Sequence, residues 1–364
     1  MPKHYGNIMN LNDALALINT SVSNRNAYHL EPLDVPVKLN QNENPFDWPR
    51  SIKEEVGKFC MERPWNRYPH FIPEQLKKML GEYVGVSGDA IIAGNGSNEM
   101  LLVLLLALAK KEEPVILCQP TFTVYRLLAE GIGSGSETVY LDDQFQFAIE
   151  AIGKASEKLP RSPLILCTPN NPTGTALSEQ ELRTILEKHN GFVIADQAYI
   201  EFGGFNAIPL IKDYPNLIVT RTFSKAFAGA GLRMGYMAGS EAVIREINKI
   251  KLPYNINFFS EHVARTALEH RAELAEGISL LIQERDAMQE FLATLPVTAY
   301  PSAANFIMIR TKQKQELFDA LVADGILIRD VSSYPKLENC LRISIGTPEE
   351  NGMLKASMRK FFNQ

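Results

Sequence analysis

The chain has 364 residues, 45% of them hydrophobic and 22% charged, with a net charge of -5. That profile describes a globular protein large enough for two domains, with no general attraction to nucleic acid or to an anionic membrane surface. Four scattered cysteines, Cys60, Cys118, Cys167 and Cys340, form no C-x-x-C pair, which argues for a reducing compartment and against a disulfide frame or a zinc site.

Residues 1 to 38 are polar and irregular apart from a short helical pattern at Leu11, Ala14, Leu15, Leu17 and Ile18. They read as an arm that docks on something. The turn-forming run Leu39-Asn-Gln-Asn42-Glu-Asn44-Pro45 follows, then amphipathic helices over 51–60 and 73–84, separated by Arg67-Tyr68-Pro69. Gly94-Asn95-Gly96-Ser97-Asn98-Glu99 opens an apolar helix that runs to Ala109, too short to span a bilayer. Glycines at a helix start let backbone N–H groups converge on an anion, but a simple Ser97 or Asn98 N-cap explains the run equally well.

From residue 114 short apolar runs alternate with helical patterns. Strands are expected at 114–118, 137–141, 164–167, 192–195, 217–220 and 234–238, with helices at 122–133, 145–159 and 178–189. This alternation defines an α/β domain with a largely parallel sheet flanked by helices. Helical patterns dominate 241–295, with 258–295 long enough to link two domains. The tail (strands 305–311, 326–331 and 341–345, helices 315–324 and from 348) reads as a smaller α+β domain. The division expected is an arm 1–38, a large domain 39–270 and a small domain 271–364.

Ligands of open α/β sheets bind beyond the carboxyl ends of the strands. Pro120-Thr-Phe122, Asn170-Asn171-Pro172-Thr173-Gly174, Asp196-Gln-Ala-Tyr199 and Ser224-Lys225 all fall there. Lys225 lies among Phe223, Ala226, Phe227 and Ala228, and desolvation lowers a lysine pKa, leaving a neutral amine able to attack a carbonyl. If that carbonyl belongs to a cofactor whose pyridine ring serves as electron sink, the ring nitrogen must stay protonated beside a buried carboxylate. Asp196 is placed for that. Tyr199 and Asn171 suit the ring oxygen, Phe122 suits the ring face, and Gly96, Ser97, Asn98, Thr222, Ser224 and Arg233 suit a phosphate. Gly131-Ile-Gly133-Ser-Gly135 ends a helix rather than joining a strand to one, so it is set aside as a dinucleotide site. The six histidines show no ligand spacing, and no metal is expected.

The set N-P-T-G (171–174), D-x-A-Y (196–199), S-K (224–225) and G-L-R (231–233) resembles the fold-type I, class I/II aminotransferases that use pyridoxal 5'-phosphate. L-N-Q-N-E-N-P (39–45), R-Y-P (67–69), G-N-G-S-N-E (94–99), P-T-F-x-x-Y (120–125), Ile328-Arg329-Asp330 and C-L-R-I-S-I-G-T (340–347) are similar to the histidinol-phosphate aminotransferase branch. The resemblance implies a seven-stranded, mostly parallel sheet, with Lys225 as Schiff-base lysine and proton shuttle. Asp196 and Tyr199 would assist it. Gly96, Ser97, Asn98, Phe122, Asn171, Thr222, Ser224 and Arg233 would contact the cofactor. Tyr68 would reach the phosphate of a neighbouring subunit, implying a homodimer with shared sites. Arg329 and Arg342, with Asn42 and Tyr68, would seat the substrates.

The implied activity is ping-pong transamination between L-histidinol phosphate and 2-oxoglutarate, giving imidazole acetol phosphate and glutamate, in the cytoplasm. Aromatic amino acid transamination and threonine-phosphate decarboxylation are the neighbouring alternatives. Two departures stand out: Gln197 where the family often has glutamate, and Phe122 where many members have tyrosine. A DNA-binding regulator is disfavoured because the arm is short and insufficiently basic.

Overall fold

A computed structural model describes residues 9–23 and 33–363. Its strands, in chain order, are β1 (Val37–Leu39), β2 (Ile91–Gly94), β3 (Val115–Gln119), β4 (Ser136–Tyr140), β5 (Leu164–Cys167), β6 (Val193–Asp196), β7 (Leu217–Thr222), β8 (Gly235–Ala238), β9 (Thr298–Ala299), β10 (Phe306–Arg310), β11 (Ile326–Asp330) and β12 (Cys340–Ser344). They form two sheets. The larger has the order β2-β8-β7-β6-β5-β3-β4, and the smaller β1-β11-β12-β10-β9.

In the large sheet β4, β3, β5, β6 and β7 run parallel, while β8 is antiparallel to both β7 and β2. The central strands β3, β5, β6 and β7 are buried along their whole length, so both faces of the sheet carry apolar side chains and no alternation survives. Ile116, Leu164, Leu166, Val193 and Val219 face one core layer, and Leu117, Ile165, Ile194 and Ile218 face the other. The helix Gly96–Leu108 covers that second layer through Met100, Leu101, Val103, Leu104 and Leu105. Local signals set two other helix ends. A reciprocal Ser178/Glu181 capping box starts Glu179–Lys188, and Gly85, at φ 81°, ends Glu74–Val84.

The six strands expected in the large domain are all present within one or two residues. The seventh, β2, carries too short a pattern (Ile91-Ile-Ala-Gly94) to stand out. The region 258–295 holds two helices, Phe258–Glu269 and Arg271–Leu292, because His270 leaves helical geometry at φ -94°, ψ 19°. β1, at the junction of the expected arm and large domain, pairs in parallel with β11 of the small sheet. Of the rest of the arm, Leu11–Ala16 and Thr20–Ser23 are helical with no buried residue; residues 1–8 and 24–32 lie outside the described residues. Among the described residues no helix is long and apolar enough to cross a membrane.

Candidate active site

The carboxyl ends of β5, β6 and β7 open into a cavity of about 520 Å³, closed on its far side by the small sheet and the segment 40–43. At its base β6 ends in Asp196, only 2% exposed. The Tyr125 hydroxyl donates to Asp196 Oδ2 at 2.6 Å, and the Ala198 N–H donates to Oδ1 at 3.2 Å. Burial pushes the Asp196 carboxyl above the usual carboxylate range, and the Tyr125 bond opposes that shift. Phe122 lines the cavity with its ring edge-on to Tyr125, centroids 5.5 Å apart.

Lys225 follows β7 and enters from the side. Its Nζ donates to the Gln41 carbonyl at 3.0 Å and lies 5.9 Å from the centroid of the Tyr199 ring. Burial pushes its pKa down to about 8, Arg342 and Arg233 add to the effect, and Glu43 opposes it. Tyr199 packs edge-on against Phe306 of the small sheet, and its hydroxyl accepts from Asn42 Nδ2 at 3.1 Å.

One end of the cavity is an anion cradle. Ser97 and Asn98, in the first turn of Gly96–Leu108, face it; the N-cap is Asn95, which makes no side-chain cap. Asn95 is instead drawn outward, its side chain donating to the Asn255 carbonyl and to Glu99. Opposite, Thr222 Oγ1 bonds Ser224 Oγ at 3.0 Å, and Arg233 Nη1 donates to Ser224 Oγ at 3.3 Å. Gly96 holds φ 78°, and a Cβ there would stand 2.8 Å from Arg233 Nη2, so the missing side chain makes room for the guanidinium. Hydroxyls, a guanidinium and a helix N-terminus suit a phosphate dianion. A buried carboxylate at the other end suits a protonated ring nitrogen. The residues present therefore fit pyridoxal 5'-phosphate.

The small sheet supplies the cations. Arg342, on β12, is buried; its Nη1 donates to Asn171 Oδ1 and its Nη2 to the Asn40 carbonyl at 2.8 Å. Arg329 stands opposite it in register on β11 and lines the same cavity. Asn42, at φ 54°, ties the 40–43 segment to β12: its N–H donates to Ser344 Oγ at 2.9 Å.

Lys225, Asp196, Tyr199, Ser97, Asn98, Phe122, Asn171, Thr222, Ser224, Arg233, Arg329, Arg342 and Asn42 thus meet at one cavity. Gly96 shapes it from behind. Tyr68 does not reach it: it is 78% exposed and stacked on Tyr254 at 4.7 Å. Gln197, a departure from the family pattern, is buried away from the cavity and bonds Phe205, Ala207 and Arg221. Tyr125, Glu43 and Tyr334 are among the lining residues to which the sequence assigned no role. The first two lie inside quoted motifs; Tyr334 sits in a loop with no local signal.

The fold and this site define a fold-type I aminotransferase. The family described as "Aminotransferase class I and II" matches residues 34–356; the chain belongs to it and is a pyridoxal-phosphate-dependent aminotransferase. It is 35% identical over 347 residues to the histidinol-phosphate aminotransferase of Chlorobaculum tepidum, covering 94% of this chain and 100% of that one. To the enzyme of the same description from Chlorobium chlorochromatii it is 37% identical over 342 residues, 93% and 94% of the two chains. The fold is similar to that of the histidinol-phosphate aminotransferase from Sinorhizobium meliloti, solved with pyridoxal-5'-phosphate (TM-score 0.82, 24% identity, 90% of this chain and 91% of that one).

Proposed function

We propose that this protein transfers the amino group of L-histidinol phosphate to 2-oxoglutarate in two half-reactions, with pyridoxal 5'-phosphate as cofactor. The observation that carries the reading is a lysine amine, pushed toward its neutral form by burial, in one cavity with a buried carboxylate, an anion cradle and two arginines. The descriptions of the curated relatives support the substrate. When bound, the cofactor supplies an aldehyde that accepts the amino group and a ring that draws electrons from the bond being broken.

The chain's own residues do the rest. Lys225 would hold the aldehyde, and its amine, when free, would give and take the proton at the substrate carbon. Asp196 holds the ring nitrogen. Asn171 and Tyr199 meet the ring oxygen, and Phe122 covers a face. Ser97, Asn98, Thr222, Ser224 and Arg233 anchor the phosphate. Arg342 takes the carboxylate of glutamate, and Arg329 with Arg342 and Asn42 seats the phosphorylated substrate, since carboxylate and phosphate accept similar forked bonds. In this reading the large unit 39–270 holds the cofactor and the small unit 271–364 supplies the arginines. The free thiols suit the cytoplasm.

The same reading makes the protein a homodimer with shared sites. Tyr68 cannot serve its own cavity, and Met61, Trp65 and Phe71 near it are 83%, 70% and 58% exposed. Aromatic side chains left this open suit a partner surface.

The test is a panel of amino donors offered with 2-oxoglutarate. L-histidinol phosphate is expected to give the highest kcat/KM, and Lys225→Ala to lower kcat by roughly three orders of magnitude or more. A higher kcat/KM on phenylalanine, or carbon dioxide release from phosphothreonine, would replace this substrate assignment; full activity of Lys225→Ala would remove the mechanism.

A further inference from the structure

Tyr125 has no part in the roles above, yet it touches two of the groups they depend on. It lies in the first turn of the helix Val124–Gly131, is fully buried, and stands edge-on to Phe122 while its hydroxyl donates to Asp196 Oδ2 at 2.6 Å. Building on the cofactor reading just given, we propose that Tyr125 is a positioning residue for Asp196. Its hydroxyl fixes the carboxylate toward the cavity and keeps the proton on the cofactor's ring nitrogen rather than on the carboxylate.

The argument is a competition for one proton. Burial favours the neutral acid at Asp196, and a neutral acid is a poor partner for a protonated ring nitrogen. Three groups pull the other way, the Tyr125 hydroxyl on Oδ2 first, then the Thr220 hydroxyl, then the Ala198 N–H on Oδ1. The tyrosine bond is shorter than that from Ala198, and a bond from a hydroxyl to an ionised oxygen in a water-poor site is among the stronger kinds. The titratable groups facing Asp196 are Tyr125 itself, Cys167 at the end of β5, and Tyr199 after β6. Burial raises the pKa of all three, to about 12 for Cys167, so each stays neutral at working pH and Tyr125 keeps its proton to donate. The geometry also separates the two contacts of Tyr125: removing the oxygen leaves the ring that braces Phe122.

The experiment is Tyr125→Phe, read by cofactor affinity and by the pH midpoint of the visible absorption band of the bound cofactor. A ring nitrogen that is less often protonated moves that midpoint upward. Expected are a midpoint raised by about half a unit or more and a cofactor dissociation constant raised about tenfold, with no more than a few degrees lost from the melting temperature of the cofactor-free protein. In an Asp196→Asn background the same substitution should change neither quantity, because the hydroxyl then has no carboxylate to act on. Should Tyr125→Phe fold poorly, 3-fluorotyrosine placed at position 125 keeps the packing and donates more strongly, and it should lower the midpoint.

Unchanged midpoint and affinity in either variant, or equal effects with and without Asp196, would overturn the proposal while leaving the cofactor reading intact. A wild-type protein that takes up no pyridoxal 5'-phosphate would overturn both.

Discussion

Burial, Arg342 and Arg233 all disfavour a charge on Lys225, and Glu43 at the cavity wall pulls the other way. The balance leaves the amine half protonated near pH 8, whereas a lysine in water stays charged beyond pH 10. In the cofactor-free protein the rate of aldehyde capture should therefore rise with pH through about 8 and level off above it. Stopped-flow absorbance on adding pyridoxal 5'-phosphate at pH 7 to 10 measures this; a rate still climbing at pH 10 would mean an ordinary lysine. The linked stability has a definite sign. Between about pH 8 and 10.5 the unfolded chain binds more protons at this residue than the folded one, so the residue's contribution to stability rises with pH across that window and is least favourable below it. The lysine, its hydrophobic neighbours and the carboxylate ending β6 were legible because each breaks a local rule, a charge set inside an apolar run. Tyr125 was not legible. A buried tyrosine in a helix looks like any core aromatic until its hydroxyl is seen against Asp196.

At the scale of the element, the phosphate cradle depends on how closely one strand approaches one helix. Gly235 opens β8, directly beneath the start of Gly96–Leu108. A Cβ there would lie 2.4 Å from the Ser97 nitrogen, 2.5 Å from the Gly96 carbonyl carbon and 2.9 Å from the Arg221 oxygen, all of them backbone. Backbone cannot swing aside as a side chain does, so Gly235→Ala must lift the helix start away from the sheet. The expected results are a loss of about 1–3 kcal/mol in urea unfolding and at least about tenfold weaker retention of pyridoxal 5'-phosphate. Gly352→Ala, in the helix Pro348–Phe361 with nothing near its Cβ, should instead be neutral or stabilise by up to about 1 kcal/mol. Retention unchanged in Gly235→Ala would show that the cradle does not depend on this approach. The glycines of Gly94-Asn95-Gly96 were readable as an anion turn because they precede an apolar helix. Gly235 was not, since its reason lies across the sheet, 138 residues from Ser97. The same separation explains which strands were legible. β3, β5, β6 and β7 each open on a run of at least three apolar residues, whereas β1, β2 and β9 are two to four residues long and owe their pairing to neighbours remote in the chain.

In the proposed homodimer, whole-molecule organisation would turn on the exposed aromatic face around Tyr68. Tyr68 stacks on Tyr254, which holds the left-handed conformation at φ 55°, and Phe71 meets the same ring edge-on at 5.4 Å. Three aromatic rings fixed in one cluster at the surface are preorganised to receive another surface, because little side-chain freedom is left to lose on contact. A two-fold dimer would use this patch on both subunits and carry each Tyr68 toward its partner's cradle. Light scattering should then give twice the chain mass of 40.7 kDa. Sharing is the stronger test. Tyr68→Ala and Lys225→Ala proteins should each be impaired as pure dimers. If they are unfolded, mixed and refolded in equal amounts, half of the dimers carry one subunit of each kind. In those dimers one site pairs an intact Lys225 with an intact Tyr68 from the other chain, and the second site lacks both. The mixture should recover about a quarter of wild-type activity, one good site in two across half the molecules. No recovery above the separate variants, with dimers present, would mean that Tyr68 acts within its own subunit, against its position 78% exposed and outside that subunit's cavity.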